Sequence, residues 1–104
     1  MIEQREVLLP LDHPSAAGHF PGNPIIPGAV MLSEVVRTWV AVRGKSGEGI
    51  TIKVAKFLSP TRPGDRVTIR FEGDDINNVK FSCAVGEVVV LTGAFGVPEP
   101  RSTP

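Results

Sequence analysis

Residues 18–44 read GHFPGNPIIPGAVMLSEVVRTWVAVRG, and this stretch decides the fold because its two halves obey opposite rules. The first half, with the residues from Pro10 that lead into it, is dense in proline and glycine. Proline fixes φ and has no N–H to give, so neither a continuous helix nor a central strand fits there. Phe20, Ile25 and Ile26 are nevertheless too apolar to remain in water, so the segment reads as an irregular but ordered loop. At Pro27 the character changes. Proline suits a first helical position, and the chain then runs without a breaker from Gly28 to Arg43, until Gly44. This predicts a helix of about four turns. Its apolar residues point in almost every direction around the axis, with Ser33, Glu34, Arg37 and Thr38 as a polar stripe, so burial nearly all round is expected.

Ahead of this stretch, residues 5–9 form a short candidate strand that Pro10 ends. After a Gly/Ser-rich turn come four runs that alternate or are β-branched, at residues 50–57, 66–71, 79–85 and 88–95. The links between them are short and turn-like, which predicts a largely antiparallel sheet. One long apolar helix and five strands give an α+β class. The economical arrangement is a strongly curved sheet wrapped around the helix. The expected organisation is one domain over residues 1–96 and a flexible proline-bearing tail over 97–104.

With 104 residues there is room for one modest core. The 11 basic and 11 acidic residues cancel, so overall charge gives no drive towards nucleic acid or an anionic membrane. The apolar runs are too short to span a bilayer, and the N-terminus lacks a signal-peptide pattern. A single cysteine, Cys83, excludes an internal disulfide and fits a cytoplasmic setting. In its apolar strand it reads as inert packing. Trp39 and Met31 likewise read as core, and His13, followed by Pro14, as structural.

Residues 18–28 are similar to the GHFPGxPxxPG signature of the hotdog-fold dehydratases of fatty-acid synthesis, and each fixed position is matched. Residues 56–65, KFLSPTRPGD, resemble the next landmark of that family, an aromatic-bearing strand followed by a PGD turn. The resemblance covers the chain from about Asp12 to Gly96. It implies a hotdog fold and the conversion of 3-hydroxyacyl chains on acyl carrier protein to trans-2-enoyl products, in fatty-acid or polyene-type lipid synthesis. It further implies no cofactor and no metal, and a homodimer or dimer of dimers. In such a dimer the acyl tunnel lies at the interface, and the histidine and acid come from opposite subunits.

The chemistry explains the residue types. Removing water from a 3-hydroxyacyl thioester needs a base for the proton beside the carbonyl, a proton donor for the departing hydroxyl, and donors for the thioester oxygen as charge develops. The resemblance gives the base to His19, an imidazole that can be neutral at working pH. It gives the oxygen contact to the backbone N–H of Gly28. The residues agree independently, because the first helical turn carries free N–H groups and the positive end of the helix dipole. Phe20 and Pro27 flank these groups as substrate-binding candidates. The helix position where the family carries Asp or Glu falls on Ser33, with Glu34 next to it. Adjacent helical residues point about 100° apart, so Glu34 takes the acid's place only through a shift of the helix or another route to the substrate. Three alternatives stand open at this stage: Glu34 as acid, Ser33 with a held water, or Glu34 merely paired with Arg37 or Thr38. The competing function is a non-catalytic hotdog subunit that binds acyl groups or an active homologue. A thioesterase is disfavoured for want of a carboxylate to activate water. Lys53, Lys56, Arg62 and Arg66 read as solvated positions, available to dock an acidic carrier protein.

Overall fold

Helix α1, Gly28–Arg43, has in the computed structural model the bounds that its sequence signals set, with Pro27 at one end and Gly44 at the other. Gly44 takes the left-handed conformation, φ 67°, and its N–H donates to the Val40 carbonyl at 2.7 Å, closing the last turn. The structure describes residues 2–10, 25–44, 49–73 and 77–97. Residues 11–24, and with them His13, His19 and Phe20, lie outside the described residues, as does 98–104 of the expected tail.

Five strands accompany the helix: β1 Ile2–Leu8, β2 Thr51–Phe57, β3 Arg66–Glu72, β4 Val79–Val85 and β5 Val88–Gly96. They form one antiparallel sheet in the order β1-β3-β4-β5-β2. This is the α+β arrangement of the hotdog fold, an antiparallel sheet applied to one long helix. β1 and β2 are therefore opposite edges. β1 begins three residues earlier than the expected 5–9 because Ile2, Glu3 and Gln4 pair with Glu72, Phe71 and Arg70. Leu9 leaves the ladder, its N–H donating to the Asp65 carbonyl at 2.9 Å.

Alternation puts Val67, Ile69 and Phe71 of β3 and Val79, Phe81 and Cys83 of β4 into the core. β5 breaks the alternation. The register slips between Cys83 and Ala84, so Val90 is the extra residue, and both Val90 and Leu91 turn inward. Trp39 of the helix meets Phe71 and Phe95 edge-on, each at 5.2 Å between ring centroids, and this trio seats the helix on the sheet.

The expectation of burial nearly all round is not met in the single chain. Met31, Val35, Thr38 and Trp39 are buried, whereas Ala29, Ser33, Arg37 and Ala41 form an exposed line at four-residue spacing. A sheet on one side of a helix can cover only the face turned towards it. Among the described residues no helix is long and apolar enough to cross a membrane.

Candidate active site

The turn between β2 and β3 builds the site's frame. The Arg62 N–H donates to the Asp65 carboxylate at 2.8 Å, and the Asp65 N–H returns to the Arg62 carbonyl at 3.1 Å. Gly64 takes φ 90°, a conformation that favours glycine, and its N–H reaches the Leu9 carbonyl at 2.7 Å. From this turn the buried Thr61 accepts the Ile26 N–H at 2.7 Å. The residues just before α1 are thus tied to the connection between β2 and β3, and this fixes where the helix begins.

Pro27 is the N-cap residue in an extended conformation, φ −58° and ψ 147°, and gives no side-chain cap. The Val30 and Met31 N–H groups both turn to its carbonyl, at 3.0 and 3.2 Å. The Gly28 and Ala29 N–H groups precede the helical ladder, and no acidic residue occupies the first turn. Gly28 opens onto a cavity of about 410 Å³ whose walls include Ile26, Met31, Phe57, Leu58 and Leu91. Such a site offers hydrogen-bond donors and a positive dipole end at one point and apolar surface beyond it. A thioester oxygen and an acyl chain need those two things.

Ser33 and Glu34 do not join it. The Ser33 hydroxyl donates to the Ala29 carbonyl at 3.1 Å, on the exposed line of the helix, and Ser33 lines neither cavity described here. Glu34 turns to the other side. Its side chain, 14% exposed, sits 3.7 Å from Arg37 in a groove of about 650 Å³ between α1 and β1. Gly28 is walled by Phe57 on one edge strand, and Glu34 faces the opposite edge strand. Within one chain the two share no cavity. Phe57, Met31, Leu91 and Thr61 were not singled out as site residues from the sequence. Phe57 and Thr61 had a signal, since both lie in the second landmark ahead of the PGD turn, whereas Leu91 carried none.

The sequence model of the ApeI-like family, described as ApeI dehydratase, matches residues 3–94 of this chain. The chain belongs to the ApeI-like dehydratase family. Over 98 residues it is 35% identical to the 3-hydroxyacyl-[acyl-carrier-protein] dehydratase FabZ of Caulobacter vibrioides, covering 82% of this chain and 62% of that protein. Over 97 residues it is 31% identical to the FabZ of Lactobacillus helveticus, covering 81% and 66%. The ApeI-like chain thus spans somewhat under two thirds of these relatives' length. Among solved structures, the dehydratase heterocomplex ApeI:P from Xenorhabdus doucetiae superposes with a TM-score of 0.73 at 18% identity, over 91% of this chain and 85% of that one. At that identity the likeness establishes the fold.

Proposed function

We propose that this chain takes part in the dehydration of 3-hydroxyacyl groups carried on acyl carrier protein, giving trans-2-enoyl products for fatty-acid or polyene-type lipid synthesis. The observation that carries the reading is the apolar cavity that begins at the uncapped first turn of α1, at Gly28, in a chain of the ApeI-like dehydratase family. The names of the FabZ relatives supply the substrate class. In this mechanism His19 removes the proton next to the thioester carbonyl, and the Gly28 N–H holds the oxygen as the enolate forms. Phe20 and Pro27 border the bound acyl group. Loss of the 3-hydroxyl as water then requires a proton. The donor in this reading is Glu34 of the opposite subunit, or a water held at Ser33 that relays the proton taken by His19. No cofactor or metal is needed.

The acting unit is a homodimer. β2 is bonded on one side only, and Val54 and Phe57 on it are 52% exposed, an apolar edge that a second β2 would cover while extending the sheet. The single buried cysteine supports a cytoplasmic setting.

A second reading draws on one observation: the Ser33 hydroxyl is spent on Ala29, and among the described residues no carboxylate lines the Gly28 cavity. In that reading the chain is a non-catalytic subunit that binds acyl groups or works beside an active homologue carrying the acid. Turnover of a 3-hydroxyacyl carrier protein by the purified chain, beside Ser33→Asp and Glu34→Ala, separates the two. Turnover by the parent supports the first, with its loss in Glu34→Ala assigning the proton to Glu34 and its survival assigning it to the water at Ser33. A silent parent with activity gained in Ser33→Asp contradicts it and supports the second.

A further inference from the structure

The Gly28 cavity reaches from half-exposed residues to buried ones. Gly28 and Met31 lie about one turn apart on the same face of α1. Gly28 stands beside the half-exposed Phe57, whereas Met31 is 3% exposed. Val35 continues that face, is wholly buried and lines no part of the cavity. Leu91 of β5, 1% exposed, closes the same depth from the sheet side. Along α1, Met31 is the last residue that lines the cavity, roughly 4.5 Å of helix rise beyond Gly28. Methionine suits a stop of this kind, since its unbranched thioether chain fills an irregular end without a fixed shape.

We infer that Met31 is the end stop of the acyl pocket and sets the longest chain the protein admits. The inference rests on reading this cavity as the acyl site. With the thioester oxygen held at Gly28, the first carbon of the chain is fixed at the mouth, and every added methylene advances towards Met31. A short chain ends before the sulfur. A longer one meets it and must either expel the thioester oxygen from Gly28 or leave its own end in water. Removing the methionine side chain deepens the cavity towards Val35, while a leucine of similar volume keeps its depth.

The test uses the whole chain and a series of 3-hydroxyacyl-pantetheine amides of increasing length, which keep the carbonyl oxygen and do not react, with affinities read by calorimetry. Wild type is expected to bind more tightly with each added pair of carbons up to a cut-off, and to weaken beyond it. In Met31→Ala the cut-off moves to longer chains, the first amide rejected by wild type binding at least about tenfold tighter. In Met31→Leu it stays. Circular dichroism confirms the fold of each variant, with Met31→Val as the milder truncation. An unchanged cut-off in folded Met31→Ala or Met31→Val, or wild-type affinity that does not depend on chain length, overturns the inference. If the cut-off shifts but no 3-hydroxyacyl carrier protein is dehydrated, the pocket assignment stands and the dehydratase reading fails. If dehydration occurs and the cut-off does not shift, the inference fails alone.

Discussion

The ring of Phe57 lies directly over Gly28: a Cβ on Gly28 would stand 2.8 Å from the Cζ of that ring and 2.9 Å from its Cε1. Gly28 is in ordinary helical conformation, so glycine is required here for space. The obstructing atoms belong to the far end of a half-exposed side chain, which can swing away. Alanine also favours the helix over glycine by about 1 kcal/mol. Gly28→Ala is therefore expected to unfold in urea within about 1 kcal/mol of wild type, the gain offsetting the displaced ring. Its affinity for an acyl-pantetheine amide should fall at least about tenfold, because the displaced ring changes the wall of the cavity beside the oxygen-binding N–H.

Gly93 gives the opposite result for a physical reason that can be named. A Cβ there would meet the backbone carbonyl of Val54 on β2 and the Cζ of Phe81 on β4, the latter at 2.5 Å. The carbonyl belongs to the strand paired with β5 and cannot retreat without opening that ladder. Gly93→Ala should cost about 3 kcal/mol, lowering the thermal midpoint by roughly 10–20 °C for a domain of this size. A scanning calorimetry trace superimposable on wild type would refute this.

Cys83 is fully buried in β4, and burial pushes its thiol up from the ordinary 9.0 to about 12. Native protein should resist thiol-specific reagents that modify the urea-unfolded chain at once. The raised value also sets a direction with pH. Below about pH 9 the thiol is protonated in both states, so its contribution is fully present. Between about pH 9 and pH 12 the unfolded chain ionises first and stability falls. The urea midpoint of wild type should decline relative to that of Cys83→Ala over this range, and parallel curves would show the thiol to be accessible.

Val54 reports on assembly. If the acting unit forms along β2, a lysine at this exposed edge position blocks strand addition while leaving the protomer intact. Val54→Lys should sediment as a monomer with native circular dichroism and lose most of the turnover. A wild type that is itself monomeric in sedimentation at working concentration would contradict the dimer.

Much of the fold was legible because its signals are local. Pro27 and Gly44 bracketed α1, and the β-branched alternation located β3, β4 and β5 to within a residue. The start of β1 was obscured because an edge strand that opens with Glu3 and Gln4 looks like solvated chain until its pairing with β3 is known. Local signals do not fix where an exposed helix line points or which groove a side chain enters. Periodicity put Ser33 and Glu34 together on one polar stripe, yet their roughly 100° separation sends one to solvent and the other to β1. The pocket wall Leu91 was invisible for a related reason. A strand slip brings it to Gly28 from distant sequence.

Whether this chain dehydrates its substrate is read from incubation of the purified protein with 3-hydroxyacyl carrier protein, followed by mass spectrometry of the carrier. The expected result is loss of the mass of one water and appearance of a trans-2-enoyl group, abolished in His19→Ala. A carrier whose 3-hydroxyacyl group persists unchanged with wild type, while the same protein binds the acyl-pantetheine amides, would contradict catalysis by this chain.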